Sequence, residues 1–537
     1  MPMAAPAATS RFSASDLPPL PPAEQLLTVD FLSEQMTHCM NFFSVPRCTD
    51  DVNGGFYHFY AEDGEVFDTR TKLLVTQARF VFSYAKAHEQ LSKTRAAAPM
   101  ESYLKAVMRG INYLFHGPLR NPENGAYFWS IREGPTTDPM EPLDLTMKKV
   151  PPEPLDSRIY TYGLAQCLLA YSAALKLGVK EARKMVDETW DTLEAKMWDA
   201  ENGLYAEEAD DNWNWTSYRS ESGNLHMTEA LLETYAATKD LKFFRRALLI
   251  ADNICRRQVT VTRLQKAVAG TDSGAPRKAS KNLVLEDKYA AREGGTTCTT
   301  ESSTAEVETM SGRLSRTCLP LIWEHYDEKW EPVLDFTNTS KELEIFRPWG
   351  FQPGHQVEWA RFLLELHEIG KGVEGCEQEW LLPKARNLFH LAVKYAWDVE
   401  KGGLAYSLNL DGSICNYDKI FWVQSETLGT CVMLLAMEEH NDLADPVPVL
   451  DEYSKAELAS FYEKLWIHSW KYSIDHIYGS WRRRLSRDHV PYFSKKTKLS
   501  LCVDPDFHMM GAFSAGCRAL ERRRKQVDKS VQGSIKN

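Results

Sequence analysis

The chain has no apolar run approaching the roughly 18 residues that a membrane-spanning helix needs. It has no Cys-x-x-Cys pair, although it contains eleven cysteines. An odd number of scattered thiols argues against a disulfide framework and a zinc knuckle, and it fits a reducing, cytoplasmic setting. Excess positive charge is also missing. Lys and Arg total 63 against 74 Asp and Glu, for a net charge of −11. No domain-wide basic surface is available to release counterions from nucleic acid, so nucleic acid is excluded as a partner. No P-loop pattern is present. The N-terminal stretch MPMAAPAATSRFSASDLPPLPP lacks the apolar core of a secretory signal, and the terminal GSIKN is not a peroxisomal address.

What is present is repetition. Aromatic turn motifs start at Asn53 (NGGFYHF), Asn124 (NGAYFWS), Asn202 (NGLYAEE), Gly402 (GGLAYSL) and Gly479 (GSWRRRL), with a degenerate sixth, DEKWEPV, at Asp327. Successive starts lie 71 to 78 residues apart, except for a gap of 125 between Asn202 and Asp327. A fixed period marks one supersecondary unit used repeatedly. Most of the excess falls in 262–314, rich in Thr, Ser, Gly and charge, which reads as a disordered insertion. Residues 1–21 read as a disordered tail, 22–525 as a single domain and 526–537 as a C-terminal tail.

Between the turns lie helical patterns, two per repeat, at roughly 22–44, 72–90, 102–116, 159–177, 180–197, 224–238, 242–258, 355–370, 382–397, 421–438, 455–470 and 507–525. Those following a turn motif, such as YTYGLAQCLLAYSAAL, are apolar on most sides and are expected to form an inner ring. Their partners, such as KEARKMVDETWDTLEAKMW, carry a charged face and are expected outside. The fold class predicted is an all-α toroid of about twelve helices with short β-hairpins at the turns, one of them in GGFYHFYAEDGEVFD around its Asp-Gly turn.

The inner helices open with polar residues. TQARF brings Arg79, RIYTYG brings Arg158 and Tyr160, and SGNLHMTEA brings Asn224, His226 and Glu229. PGHQVEWAR brings His355 and Glu358, FWVQSET brings Trp422, Gln424 and Glu426, and PDFHMMGAF brings His508. A ring of helices points these at one mouth. Histidines around a pocket suit proton transfer near neutral pH. A Glu three residues after a His shares its helix face and can orient that imidazole. Arg and Gln supply donors for substrate oxygens, and aromatic rings stack on the apolar faces of sugars. The pattern points to a neutral polyol ligand and acid–base chemistry. The same residues admit three other readings: a divalent metal held by the pairs His226/Glu229 and His355/Glu358, a two-carboxylate glycoside hydrolase, and a non-catalytic sugar-binding protein.

At GGFYHFYAEDGEVFDTRTKLLVTQARFVFSYA, YRSESGNLHMTEALLETYAATKD, WGFQPGHQVEWARFLLEL, KIFWVQSETLGT and YGSWRRRLSRDHVPYFSKKTK followed by DFHMMGAF, the sequence resembles the N-acylglucosamine 2-epimerase superfamily, which includes mannose and sulfoquinovose isomerases and cellobiose 2-epimerase. The resemblance implies an (α/α)6 barrel, cofactor-independent proton transfer at C1/C2 of a reducing hexose through an enediolate, no resident metal, and a homodimer as the common assembly of relatives. It implies that His355 and His508 are the catalytic pair, and that Arg79, Asn224, His226, Glu229, Glu358, Trp422 and Glu426 surround the substrate. EWAR after the Gly-His favours aldose–ketose isomerisation of a mannose-like sugar over 2-epimerisation of N-acylglucosamine. Ser222 stands where the family often has the first Asn of Asn-Ala-Asn-Met-His, and Phe507 stands where a Tyr often precedes the last His.

Overall fold

The computed structural model describes residues 17–93, 100–134, 151–256, 319–337, 347–437, 453–492 and 506–536. Twelve helices of eleven or more residues lie among them: α1 Val29–Phe42, α2 Leu74–Leu91, α3 Met100–His116, α4 Thr161–Lys176, α5 Ala182–Lys196, α6 Glu221–Thr238, α7 Leu241–Ala251, α8 Pro353–Gly370, α9 Leu381–Ala396, α10 Phe421–Ala436, α11 Lys455–His468 and α12 Phe507–Lys536. The even-numbered helices pack in cyclic order, and α12 closes on α2. Each carries an outer helix: α3 on α2, α5 on α4, α7 on α6, α9 on α8, α11 on α10 and α1 on α12. This is the expected (α/α)6 barrel. The inner helices bury almost their whole circumference, as in α10, where only Trp422 and Leu434 are not fully buried. The outer helices bury one stripe, as in α7 through Phe243, Phe244, Ala247, Ile250 and Ala251. Helices apolar all round go inside and amphipathic ones outside. Inner helices also approach closely. A Cβ on Gly429 of α10 would come within 2.6 Å of the Ala512 side chain of α12.

Short antiparallel ribbons stitch neighbouring repeats around one rim. Thr71–Leu73 pairs with Ser130–Arg132, Ile159–Tyr160 with Glu208–Ala209, Arg219–Ser220 with His325–Tyr326, and Lys419–Ile420 with Arg484–Leu485. The Asp-Gly hairpin is present, pairing Phe59–Tyr60 with Val66–Asp68 and placing Gly64 at φ +88°.

A recurring polar clamp fixes four aromatic turns. The fourth residue of α2, Gln77, accepts from the Phe56 N–H at 2.7 Å and donates to the Phe56 carbonyl at 2.8 Å. Asn224 does the same to Tyr205, Gln356 to Ile322 and Gln424 to Leu404. These amides satisfy buried backbone groups that no strand reaches. The clamp also corrects one repeat assignment. In the fourth repeat the pinned residue is Ile322, so DEKWEPV is not the equivalent of NGLYAEE. It is the hairpin that follows: Trp330 at φ +58° matches Trp213 at +65° and His489 at +64°. Each of these donates its N–H to the carbonyl three residues earlier, at Asp327, Asp210 and Ser486.

Two boundaries differ from expectation. Residues 17–21 belong to the barrel: the Pro18 carbonyl accepts the Trp470 indole N–H at 2.7 Å, and Leu20 packs on the core. The last helix continues to Lys536, so 526–536 is helical where a tail was expected. Residues 1–16 and the insertion at 262–314 lie outside the described residues. Among the described residues, no helix is long and apolar enough to cross a membrane.

The two ends of the ring differ. The N-terminal ends of the inner helices carry the ribbon rim. Towards the C-terminal ends lies a cavity of about 320 Å³ whose lining includes Lys86, Lys176, Glu233, Glu365 and Arg518, and which reaches Glu229 and Arg361. Its charges are paired, the buried Lys86 to Glu233 at 2.8 Å, as burial of charge demands, and the half-buried Arg518 to Glu365 at 3.0 Å.

Candidate active site

The sixth residue of five inner helices builds one polar layer: Arg79, Gln166, His226, Glu358 and Glu426. All are buried. The sixth helix supplies small Ala512 at this position, and its polar group, His508, comes one turn earlier. His508 Nδ1 lies 3.1 Å from Glu426 and 3.2 Å from Glu358. Its Nε2 lies 3.4 Å from the Arg79 guanidinium, which donates to the Tyr162 hydroxyl at 2.6 Å and lies over the Phe507 ring. Arg361, from the ninth position of α8, clamps Glu426 through Nε at 2.9 Å and Nη2 at 3.3 Å, and donates to Glu229 at 3.1 Å. Burial works to lower the His508 pKa, but the adjacent carboxylates dominate over it and over Arg79, and lift it to about 9. Burial pushes the Glu426 carboxyl up against the pull of Arg361, while His508 holds Glu358 low despite burial.

His355 has a second pair of carboxylates. Its Nδ1 lies 2.8 Å from Glu221 and 3.0 Å from Glu324. Burial opposes its protonation, yet these two charges carry its pKa well above the ordinary value. Its ring stacks on Trp422 with centroids 5.3 Å apart, and Trp422 also stacks on His508 at 5.1 Å. One indole therefore spans both histidines. The Trp359 indole N–H donates to the second oxygen of Glu221 at 2.7 Å.

His226 is different. It contacts Gln166 at 3.4 Å, Glu229 at 3.5 Å and the Tyr162 ring at 4.7 Å between centroids. Burial outweighs Glu229 and Glu358 and lowers its pKa, so it is neutral at pH 7. The three histidines thus differ in charge, with His355 and His508 protonated.

Eight of the nine residues expected at the mouth come together: Arg79, His226, Glu229, His355, Glu358, Trp422, Glu426 and His508. Asn224 does not. Both atoms of its amide are committed to the Tyr205 backbone, so it holds a turn and is unavailable to a substrate. Gln424 is corrected for the same reason. Arg158 points away into a pair with Asp156 at 2.6 Å. The expectation that each Glu serves the His three residues before it holds for Glu229 and fails for Glu358, which serves His508 across the ring. Tyr162, Gln166, Glu221, Glu324 and Arg361 were not anticipated. Repeat alignment carries the signal for three of them. Gln166 is the sixth residue of its helix, Arg361 shares the ninth position with Glu229, and Glu324 lies two residues after the clamped Ile322, as Glu207 does after Tyr205.

The metal reading takes a new form. His226/Glu229 and His355/Glu358 do not converge. Two other triplets do: Glu221, Glu324 and His355, and Glu358, Glu426 and His508, each with three potential donor atoms within 4.8 Å of one another. In each, one carboxylate accepts the Nδ1–H, Glu324 from His355 at 3.0 Å and Glu426 from His508 at 3.1 Å, and the other, Glu221 at 2.8 Å or Glu358 at 3.2 Å, is an ion-pair partner of the same nitrogen. Each triplet fits an imidazolium between two carboxylates.

The same architecture is found in known proteins. The family model N-acylglucosamine 2-epimerase matches residues 54–143, 146–267 and 305–502. A D-mannose isomerase of Marinomonas mediterranea is 32% identical over 483 residues, covering 90% of this chain and 95% of that protein. A cellobiose 2-epimerase of Eubacterium cellulosolvens is 24% identical over 388 residues, or 71% and 75% of the two chains. Among solved structures, a D-mannose isomerase superposes with a TM-score of 0.68 at 31% identity, covering 92% of this chain and 99% of that one. The cellobiose 2-epimerase of Spirochaeta thermophila does so at 0.64 with 18% identity, over 93% and 98%, and shares the fold. Matched by the family model over most of its length, and by a relative at 32% identity over nine-tenths of it, the chain belongs to the N-acylglucosamine 2-epimerase family.

Proposed function

We propose that this protein is an aldose–ketose isomerase of a mannose-like hexose. The observation that carries the reading is the pair of imidazoliums, each between two buried carboxylates, that share Trp422 and flank a pocket containing Arg79. The similarity to D-mannose isomerases supports the substrate class.

The chemistry follows from the charges. Protonated His355 donates to the ring oxygen as the O1 proton passes to water, and the pyranose opens to the C1 aldehyde. His508, after losing its own proton, removes H2. The C2–H electrons form the C1=C2 bond, and charge moves onto O1. Arg79, whose guanidinium faces His508, stabilises that oxyanion. Return of the proton to C1, as the O2 proton passes to O1, gives the ketose. Return to the opposite face of C2 would give the epimer. His226 is a second candidate for the C2 base, because it is the histidine that burial keeps neutral. The eight cysteines among the described residues are free thiols, seven of them buried, which supports a reducing, cytoplasmic location.

The test is proton NMR in D2O with EDTA, with D-mannose, D-glucose and N-acetylmannosamine in separate samples. Conversion of mannose to fructose is expected. Conversion of N-acetylmannosamine to N-acetylglucosamine would move the chain to 2-epimerisation. Absence of conversion and of deuterium uptake at C2 in all three would overturn the proposal.

A further inference from the structure

One turn of α8, Glu358-Trp359-Ala360-Arg361, reaches all three histidines. Glu358 lies against His508, and Arg361 holds Glu426 beside His508 and Glu229 beside His226. Trp359 is fully buried, so its ring lies out of reach of a substrate. Its indole N–H meets Glu221 Oε2 at 2.7 Å, and Glu221 Oε1 lies 2.8 Å from His355 Nδ1. With Nδ1 held by carboxylates, Nε2 is the nitrogen left to meet a sugar oxygen.

We propose that Trp359 is a positioning residue for proton transfer: its indole N–H fixes the Glu221 carboxylate, and Glu221 fixes the His355 ring. The role rests on the reading of His355 as a proton-transfer group. The donor is neutral and single, so it sets direction without adding charge. A carboxylate with one oxygen anchored cannot swing away from the imidazole when His355 gives up its proton. The ionisable groups facing His355 are Glu221 from α6, Glu324 and His325 from the segment before α8, and Glu358 from α8 itself; α10 contributes the uncharged Trp422. Among these four, Glu221 is the one Trp359 anchors. Removing the anchor weakens the hold of that carboxylate on the imidazolium and moves the His355 titration to lower pH.

The experiment compares wild type, Trp359→Phe and Glu221→Gln in two readouts. The first is kcat and KM for mannose across pH. The second is the imidazole titration of His355 in the resting protein by NMR of ring-labelled histidine, its signal identified by loss in His355→Asn. Trp359→Phe is expected to lower kcat about tenfold, as loss of one hydrogen bond to a charged group allows, with KM within about twofold. The His355 titration shifts to lower pH while that of His508 stays in place. Glu221→Gln shifts it further in the same direction and serves as the test should Trp359→Phe fold poorly. An unmoved His355 titration in folded Trp359→Phe, or in Glu221→Gln, overturns the proposal, as does a change confined to KM or to thermal stability. The titration requires no substrate. If wild type fails to turn over mannose yet the shift occurs, the functional reading falls and the coupling of Trp359 through Glu221 to His355 stands. Turnover with an unmoved titration removes only the role of Trp359.

Discussion

The His355 and His508 stations are built from the same parts and tuned differently. Each is an imidazole between two buried glutamates, and each stacks on Trp422. Behind the His355 carboxylates stands a neutral indole, Trp359. Behind Glu426 stands the Arg361 guanidinium, and Arg79 faces His508 from the other side. Two neighbouring cations draw charge density away from the His508 carboxylates and oppose its protonation. His355 has no arginine among its principal charged neighbours. Both rings are raised, His355 well above the ordinary value and His508 to about 9, but the groups behind their carboxylates differ in charge. Pairs of like groups pushed apart by their surroundings are how one site supplies an acid and a base.

The largest break of this comparison is His508→Asn. It should lower C2–H exchange in D2O about 10³-fold, in the range of a lost general base. His355→Asn should slow overall isomerisation while leaving measurable exchange with substrate that has opened spontaneously. Equal loss of exchange in both would erase the distinction between the two histidines. Retained exchange in His508→Asn, together with loss in His226→Asn, would transfer the base to His226.

Next in size is Arg361→Met, which leaves Glu426 and Glu229 buried without their cation. Breaking a buried ion pair from one side costs about 3–5 kcal/mol, read as a fall in the midpoint of chemical denaturation. Gln424→Leu probes the scaffold instead. It strands the N–H and carbonyl of Leu404 and should cost about 2–4 kcal/mol, with the pH profile unchanged. A shifted profile would mean that the clamps tune the site as well as hold it.

The smallest effect is that of pH. Below its folded value of about 9, the unprotonated fraction of His508 rises about tenfold per unit, so kcat should climb through neutral pH and level off near 9. The linked stability runs the other way. A folded pKa raised above the unfolded value of about 6.5 contributes stability that is fully present below 6.5 and lost as pH rises through 9. A kcat that falls between pH 7 and 8.5 would contradict the assignment of His508 as base.

Much of the barrel was legible in the chain. Apolar residues recur at helical spacing, and repeats of constant length must stack alike, so the helices, their inner and outer ranks and the polar ring around His226, Glu358 and Glu426 follow from local pattern. The degenerate DEKWEPV shows the limit: a Trp in a tight turn looks like an aromatic turn motif until the clamp on Ile322 sets the register.

The partnerships were decided by tertiary structure. Glu358 lies three residues from His355 and yet serves His508, because ring closure brings α12 against α10 and α2 and turns that carboxylate across the axis. Glu221 and Glu324 reach His355 from 134 and 31 residues away. Asn224 sits among polar mouth residues in the sequence and spends its amide on a backbone turn. Helix spacing is a local property and was readable from the sequence. Which carboxylate neutralises which imidazole depends on inter-helix distances of a few ångströms, and those exist only once the ring has closed.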